Sequence, residues 1–271
     1  MSVKEAGGDG LQRFFGLDGL RVLVTGAAGQ LGCGMVNGLL ACGGRILACD
    51  TKLAAVEAAA QRYGWDPERV SLAEADVRER SAVAEAVRSG AEAFGGLDAL
   101  VNNAGVSVFE PFMERPESSI DWVMDVNLKG TIICTQEFLR HRMDQGGGGA
   151  MVNIASHYGL ISPDPRIYTD CARKNSEIYG ATKAGVMQMT RYYAVHAAEH
   201  GVRCNAVSPG GVRNPDSPQG PDFQQNYGFR CPMGRMAETD EIVGAVLFLL
   251  SPAAAYVNGH NIVVDGGMTA W

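Results

Sequence analysis

The chain lacks a long hydrophobic run and a surplus of basic residues, and each absence excludes a class of protein. Its longest apolar run, Ala245 to Leu250, is far too short to span a bilayer, and the opening MSVKEAGGDG has no signal-peptide core. The formal net charge of -7 argues against a nucleic-acid partner, because such proteins need a basic surface. We therefore expect a soluble cytoplasmic protein with neither a membrane nor a nucleic-acid partner.

The chain also lacks paired cysteines and clustered metal ligands. Its seven cysteines include no C-x-x-C pair, and their odd number favours buried thiols in a reducing compartment over a disulfide framework. His196 and His200 are four residues apart, but histidines are also favoured by the dipole at a helix C-terminus. No metal site is predicted.

Glycine is abundant instead, at 35 of 271 residues and without a collagen-like period. Short runs rich in Val, Ile and Leu alternate with stretches of helical period, which predicts repeated β-α units around a parallel sheet. The sequence shows no domain linker. We therefore expect an α/β protein built on a seven-stranded parallel sheet flanked by helices, in which residues 1–271 form a single domain and residues 1–18 a loose N-terminal arm.

The pattern predicts seven strands, which are Arg21–Val24, Arg45–Cys49, Val70–Ala73, Asp98–Val101, Met151–Ile154, Arg203–Val207 and Ile262–Val264. It predicts six helical segments, which are Leu31–Ala41, Leu53–Tyr63, Ala82–Phe94, Ser118–Asp144, Ser176–His200 and Glu238–Leu250. Two stretches, Ser162–Asn175 and Gly211–Met236, show no periodicity. Loops of that length in a compact domain are usually functional, often as lids over a site.

The segment VLVTGAAGQLG, Val22 to Gly32, ends a predicted strand and opens a helix. Glycines at 26, 29 and 32 let the backbone turn sharply and approach a pyrophosphate, whose charge meets the amides and dipole at the helix start near Gln30 and Leu31. Three glycines at this spacing also occur in plain turns. The strand-helix context favours a dinucleotide site.

Carboxylates and amides follow the next strands. Asp50 ends the second strand, where a carboxylate accepts from both ribose hydroxyls of NAD and repels the 2′-phosphate of NADP; the alternative role is a helix N-cap. Lys52 is the one nearby residue whose positive charge would favour NADP and so weaken the preference for NAD. Asp76 is a candidate acceptor for the adenine amino group or a simple turn residue. The NNAG string, which includes Asn103, Ala104 and Gly105, is expected to line the adenine ribose.

Ser156, Tyr179 and Lys183 are the candidates for catalysis. Tyr179 and Lys183 are four apart on a predicted helix, so their side chains share one face. A tyrosine titrates near 10, but a fixed ammonium and a cationic nicotinamide both favour the phenolate. The pair therefore supplies a proton carrier, although a surface pair without function has the same spacing.

From about Gly19 to Met268 the sequence resembles the short-chain dehydrogenase/reductase superfamily. The matching pieces are TGAAGQLG, DV at Asp76–Val77, NNAG, Asn127 in VNLKG, NIAS ending at Ser156, YGATK from Tyr179 to Lys183, SPGG at Ser208–Gly211 and VDGG at Val264–Gly267. The resemblance implies a single-domain, three-layer Rossmann fold. It also implies that Tyr179 is the acid/base, that Lys183 holds the nicotinamide ribose and lowers the tyrosine pKa, and that Ser156 orients the substrate. Asn127 would shape a helix kink that holds a relay water. The resemblance also places Val77, Pro209, Gly210 and Val212 at the cofactor.

Three features depart from the family pattern. With Gln30, the glycine loop TGAAGQLG matches the T-G-x-x-G-x-x-G motif of the larger, extended branch of the superfamily. The chain ends too early for that branch's C-terminal substrate domain. Ser156 and Tyr179 are 23 residues apart, which indicates an insertion within Pro163–Glu177. Tyr168 is nearer the usual spacing but has no lysine four residues later. The threonine expected after the P-G turn is missing, and Val212 or Asn214 is its substitute.

The insertion carries Arg166, Arg173 and Lys174, which are candidates for binding an anionic substrate or are ordinary surface charges. His157, beside Ser156, is a further candidate for substrate contact. The later segments also resemble members in bacterial polysaccharide and nonulosonate sugar pathways, a likeness that bears only weakly on the substrate.

The resulting hypothesis is an NAD-dependent dehydrogenase or reductase of a secondary alcohol or ketone, with a sugar or anion as substrate. NADP is the less favoured cofactor. The alternatives are a nucleotide-sugar epimerase or dehydratase, which TGAAGQLG and the insertion suggest, and a catalytically silent dinucleotide-binding scaffold. The resemblance also implies a homodimer or homotetramer that associates through the two long helices, Ser118–Asp144 and Ser176–His200, and through the C-terminal segment.

Overall fold

The computed structural model describes residues 9–169 and 174–271. Seven strands form one parallel sheet in the order β3-β2-β1-β4-β5-β6-β7, so the predicted α/β class and parallel sheet are confirmed. The strands are β1 Arg21–Thr25, β2 Arg45–Asp50, β3 Val70–Glu74, β4 Ala99–Asn102, β5 Gly149–Ile154, β6 Val202–Pro209 and β7 Asn261–Val264. The helices are α1 Asp9–Phe15, α2 Gln30–Ala41, α3 Leu53–Tyr63, α4 Arg80–Phe94, α5 Glu117–Met124, α6 Thr131–Asp144, α7 Glu177–His196, α8 Pro221–Arg230 and α9 Thr239–Leu250.

Helices cover both faces of the sheet, which explains why the central strands are apolar throughout. Along β1, Val22 and Val24 point into one hydrophobic core and Leu23 points into another, as the alternation of side chains in a strand requires. The first core also contains buried residues of α2 and α9, and the second contains residues of α4 and α6. The three-layer arrangement follows directly. No helix in the described part of the chain is long and apolar enough to cross a membrane.

Three predicted segments differ from the structure. The predicted arm contains helix α1, and its end is fastened to the sheet layer because the amide of Leu17 donates to the Cys42 carbonyl at 3.2 Å. The long helix Ser118–Asp144 is divided by a π-helical turn at Asp125–Gly130. The stretch Gly211–Met236 contains helix α8. Proline at its first turn and a polar composition hid the helical period of α8 from the sequence analysis.

The direction in which successive strands are added to the sheet reverses at β1. Strands β2 and β3 lie on one side of β1, and β4 and the later strands lie on the other side. In open parallel sheets, ligands bind outside the carboxyl ends of the strands at such a switch point. The glycine loop follows β1 and the NNAG segment follows β4, so the fold brings both to this position.

Candidate active site

A cleft of about 670 Å³ lies at the carboxyl edge of the sheet. All the predicted cofactor residues lie along it, together with Ser156: Gly26, Gly29, Gln30, Leu31, Asp50, Asp76, Val77, Asn103, Ala104, Gly105, Tyr179, Lys183, Pro209, Gly210 and Val212. Residues from seven separate segments of the chain therefore meet in one place. The volume falls within the range of small-molecule and cofactor sites.

The glycine loop has the geometry of an anion cradle. Gly26 has φ +65, and a Cβ there would lie 2.9 Å from the Cα of Ala104. A Cβ on Gly32 would lie 2.1 Å from the Gly26 carbonyl oxygen, so α2 begins directly against the turn. Helix α2 has no acidic residue in its first turn, and its N-cap, Gly29, supplies no side-chain hydrogen bond. The free amides and positive dipole end of α2 therefore fit a pyrophosphate.

The side chain of Gln30 explains its departure from the family pattern. Its Nε2 atom donates to the carbonyl oxygen of Arg213 at 2.6 Å and to Oγ1 of Thr239 at 3.1 Å. The amide thus joins the glycine loop to the segment after β6 and to the start of α9. Gln30 acts here as a brace between cleft walls, in addition to the contact that its backbone amide can make.

Asp50 faces the cleft and does not cap a helix. One of its carboxylate oxygens accepts from the Ala28 amide at 3.0 Å, and the other accepts from the Thr51 amide at 2.7 Å. Helix α3 has Lys52 at its N-cap position, and the free amide of Leu53 donates to Glu74 at 2.8 Å. The backbone bonds hold the Asp50 carboxylate in one orientation at the end of β2.

Two other polar residues of the cleft have partners inside the protein. Asp76 accepts from the guanidinium of Arg78 at 2.6 Å, and this hydrogen bond lowers the pKa of the Asp76 carboxyl. The Nδ2 atom of Asn103 donates to the carbonyls of Thr25 and Gly26, both at 3.0 Å. The Asn103 side chain therefore ties β4 to the glycine turn and leaves cofactor contact to its backbone.

Helix α7 places the tyrosine and lysine at the end of the cleft. The helix starts after Ser176, whose hydroxyl caps it by accepting from the Tyr179 amide at 3.2 Å. Lys183 is only 4% exposed; its Nζ atom donates to the Ile154 carbonyl at 2.7 Å and lies 5.6 Å from the centre of the Tyr179 ring. Ser156 follows β5 and lies in the same wall of the cleft. The predicted trio is therefore assembled in space.

Burial and hydrogen bonding set the acidities of these groups. Burial lowers the pKa of Lys183 to about 8, so its ammonium is present at neutral pH but is easily deprotonated in mild alkali. Burial raises the pKa of Tyr179, while a hydrogen bond with the Ser156 side chain opposes that rise. In this state of the protein the tyrosine is a neutral phenol that can give up a proton when further positive charge stabilises the phenolate.

Asn127 lies behind the lysine, in the π-helical turn. Its Oδ1 atom accepts from the Val106 amide at 2.8 Å, and its Nδ2 atom donates to the Val106 carbonyl and to Thr182, both at 3.0 Å. The backbone carbonyl of Asn127 accepts from Thr131 at 2.8 Å. The side chain thus fixes the loop after β4 to helix α7 beside Lys183, at the irregular turn that the resemblance implied as a kink.

A second cavity of about 200 Å³, called here the aromatic chamber, adjoins the cleft at Tyr179. Its described lining residues are Phe109, Ser156, His157, Tyr158, Tyr168, Asn175, Tyr179, Gly210, Gly211, Val212, Gln219, Phe223, Tyr227 and Met236. The hydroxyl of Tyr227 accepts from the Gly211 amide at 2.6 Å, and the hydroxyls of Tyr158 and Tyr168 are 3.0 Å apart. The chamber is therefore where a substrate can reach Tyr179.

Two buried polar atoms among these lining residues have no hydrogen-bond partner in the described part of the chain. They are Nδ1 of His157, a residue 2% exposed, and Oε1 of Gln219. A buried polar group without a partner costs about 1–3 kcal/mol, so each atom calls for a ligand group. Burial also lowers the pKa of His157 to about 4, which keeps its ring neutral at neutral pH.

The predicted substrate residues are only partly brought together. His157 lines the chamber, but Arg166 is exposed, pairs with Asp164 at 2.7 Å and lines a separate cavity of about 320 Å³. Lys174 is exposed and is absent from the described linings of the cleft and the chamber, and Arg173 lies outside the described residues. The two described charges of the insertion, Arg166 and Lys174, therefore do not line the cavity at Tyr179.

The sequence analysis missed several chamber residues. Gln219, Phe223 and Tyr227 lie in the stretch that it interpreted only as a lid, and Asn175 lies at the edge of the insertion. One signal was available: Phe223 and Tyr227 are four residues apart, the spacing of a buried helical face, and both are buried on α8.

Known proteins with similar sequences and structures are dehydrogenases and reductases, in agreement with the site described above. A family model described as enoyl-(acyl carrier protein) reductase matches residues 26–269. The chain is 35% identical over 261 residues to D-threitol dehydrogenase of Mycolicibacterium smegmatis. The alignment covers 94% of this chain and 95% of that protein.

Two solved structures extend the comparison. A short-chain dehydrogenase from Leptospira borgpetersenii with bound NAD+ has a TM-score of 0.83 and 35% identity, covering 96% of this chain and 95% of the other. A gluconate 5-dehydrogenase from Burkholderia cenocepacia in complex with NADP and tartrate has a TM-score of 0.84 and 30% identity, covering 96% and 99%.

These relatives favour an oxidoreductase over the epimerase, the dehydratase and the silent scaffold. The two solved structures both hold a nicotinamide dinucleotide, NAD+ in the Leptospira protein and NADP in the Burkholderia protein. The chain belongs to the short-chain dehydrogenase/reductase superfamily and is a dinucleotide-dependent oxidoreductase of an alcohol or ketone.

Proposed function

We propose that the chain interconverts a secondary alcohol and its ketone with NAD as the preferred dinucleotide and Tyr179 as the proton carrier. The observation that carries the proposal is the placement of the buried Lys183 ammonium beside the Tyr179 ring, with Ser156 in the same wall. The reaction needs a proton to leave the substrate hydroxyl as the carbon is oxidised. The phenolic oxygen is the group positioned to take it.

Each residue of the trio has a separate task in this proposal. Ser156 donates a hydrogen bond to the substrate oxygen and orients it toward Tyr179. The Tyr179 phenolate takes the hydroxyl proton in oxidation, and the phenol returns it in reduction. Lys183 stabilises the phenolate electrostatically and holds the nicotinamide ribose. The bound dinucleotide supplies the hydride acceptor or donor.

Asn127 is a positioning residue in this scheme. Its side chain connects the Val106 backbone with Thr182, the residue before Lys183. By fixing that connection it holds the lysine and the wall of the cleft at a constant separation. A relay of protons toward solvent would pass beside its backbone at the π-helical turn.

The preference for NAD rests on Asp50. Its carboxylate, held by the amides of Ala28 and Thr51, faces the cleft at the end of β2 and would accept from the adenosine ribose hydroxyls. A 2′-phosphate in the same place would meet like charge. Arg78 also lines the cleft, but its guanidinium is already paired with Asp76.

Two measurements test the proposal separately. Replacing Tyr179 with phenylalanine is expected to lower kcat by at least a factor of about 10² while NADH binding, followed by fluorescence, stays near that of the wild type. Unchanged turnover would show that another group carries the proton. Titration with NADH and NADPH tests the cofactor preference: tighter binding of NADPH contradicts the role of Asp50.

The proposal extends to the setting of the enzyme. Residues 1–271 act as a single catalytic domain in the cytoplasm, where the six described cysteines stay as free thiols. The chain associates as a homodimer or homotetramer through α5, α6 and α7, which expose Trp122, Met143, Tyr192 and Val195. Light scattering that gives a monomer at all concentrations contradicts the association.

A further inference from the structure

The aromatic chamber contains an unused pair of polar groups, and these bear on the identity of the substrate. His157 follows Ser156 directly in the chain, and its side chain is buried in the wall of the chamber. Its Nδ1 atom and the Oε1 atom of Gln219 are the two chamber atoms that are buried without a partner in the described part of the chain. The hydroxyls of Tyr227, Tyr158 and Tyr168 in the same chamber already bond within the protein.

The chemistry of the two atoms limits what can join them. The amide oxygen of Gln219 only accepts hydrogen bonds, whereas a neutral imidazole nitrogen donates or accepts according to its tautomer. Burial holds the His157 pKa near 4, so the ring carries no charge with which to attract an anion. A hydroxyl group can accept from an Nδ1 hydrogen or donate to the amide oxygen, so it suits either atom.

The charge of the chamber points to the same ligand class. None of its described lining residues is a lysine or arginine, and Arg166 is paired with Asp164 at a separate cavity. Among the described residues, a carboxylate or phosphate would therefore be buried there without a cation, which is costly. Aromatic rings from Phe223 and Tyr168 supply apolar walls for the C-H faces of a carbon chain.

We propose that His157 and Gln219 form a hydroxyl-binding subsite that selects a neutral polyol over a simple alcohol or a hydroxy acid. The inference rests on the proposed function, because it places a second hydroxyl of the substrate beside the carbinol that Tyr179 deprotonates. His157 and Gln219 determine specificity and take no part in proton transfer.

Four compounds with the same four-carbon chain test the subsite: D-threitol, butane-2,3-diol, butan-2-ol and threonate. For the wild type with NAD, kcat/KM is expected to fall from D-threitol to butan-2-ol and to be lower for threonate than for D-threitol. The variants His157→Phe and Gln219→Leu are each expected to lower kcat/KM for D-threitol by a factor of about 10 and to leave that for butan-2-ol within about twofold.

Tyr158→Phe is the matched control. It also removes a polar group from the chamber wall, but this hydroxyl already lies 3.0 Å from that of Tyr168. It is expected to change kcat/KM for D-threitol and butan-2-ol by the same factor. NADH fluorescence checks that each variant is folded, and Gln219→Leu, at a partly exposed loop position, provides the test if His157→Phe does not fold.

The outcomes separate the two proposals. Equal losses for D-threitol and butan-2-ol in both variants, or a wild-type preference for butan-2-ol or threonate, overturn the subsite while the alcohol dehydrogenase activity stands. Full turnover by Tyr179→Phe overturns the proton carrier, whereas the ratio between the compounds still tests the subsite. A wild type that oxidises none of the four compounds overturns the polyol inference.

Discussion

Replacing Lys183 with methionine tests the electrostatic basis of the site. Methionine keeps an unbranched side chain of similar length but removes the charge that lies 5.6 Å from the centre of the Tyr179 ring. At that separation, with an effective dielectric constant of about 20, two unit charges interact by about 3 kcal/mol. Since 1.36 kcal/mol corresponds to about one pKa unit, the loss is expected to raise the pKa of the Tyr179 phenol by about 2 units.

The assay is the pH profile of kcat/KM for alcohol oxidation, followed by NADH absorbance. In this direction the phenolate is the active form, so activity rises with pH through the pKa of the tyrosine. The profile of Lys183→Met is expected to shift by about 2 units to higher pH, with a rate about 100-fold lower than the wild type below that pKa. Above pH about 8 the Lys183 ammonium of the wild type loses its own proton, so the two rates are expected to converge there as far as cofactor binding allows.

Lys183→Arg is the matched control, because it keeps the positive charge but changes its shape. Its profile is expected to stay close to that of the wild type even where its maximal rate falls. Circular dichroism verifies that both variants are folded. If Lys183→Met loses activity but keeps the wild-type pH profile, the lysine acts through cofactor binding alone and the electrostatic account is wrong.

The glycine turn and a partly buried ion pair provide two further predictions. Gly26→Ala is expected to abolish NADH binding and to destabilise the protein, because its Cβ would lie 2.9 Å from the Ala104 Cα. Gly64→Ala is the control: Gly64 has φ +64, and a Cβ there would meet no other atom within 4 Å. This variant is expected to bear only the backbone strain of about 1–2 kcal/mol and to keep NADH binding. Calorimetry and fluorescence titration compare the two, and equal NADH affinity in both variants would contradict the steric argument. Asp98→Asn is expected to lower the free energy of unfolding by about 2 kcal/mol at pH 7, because the carboxylate accepts two hydrogen bonds from the Arg21 guanidinium and a third from the Arg21 amide. Although burial opposes it, this pairing holds the Asp98 pKa below its usual value, so the stabilisation is present above pH about 4 and is lost as pH falls through the folded-state pKa. Urea denaturation from pH 7 to pH 3 is expected to show the wild type approaching the variant, and a constant gap would contradict this.

The sequence by itself determined the features that depend on neighbours along the chain. The glycine turn after β1, the carboxylate that ends β2 and the tyrosine and lysine one helical turn apart are local patterns, and a parallel sheet brings the ends of its strands to one edge. These rules were enough to predict the sheet, most helix bounds and the residues that line the cleft.

Only the tertiary structure decided features that depend on contacts between distant segments. The amide of Asn103 binds the glycine turn, Asp76 pairs with Arg78, and Arg166 pairs with Asp164 away from Tyr179. Helix α8 was missed because its stability comes from packing, through residues such as Phe223, more than from a clear period. The aromatic chamber likewise exists only where α8, the loop after β5 and α7 meet. Burial there leaves the His157 ring neutral and its Nδ1 atom without a hydrogen-bond partner among the described residues, which no spacing in the sequence shows.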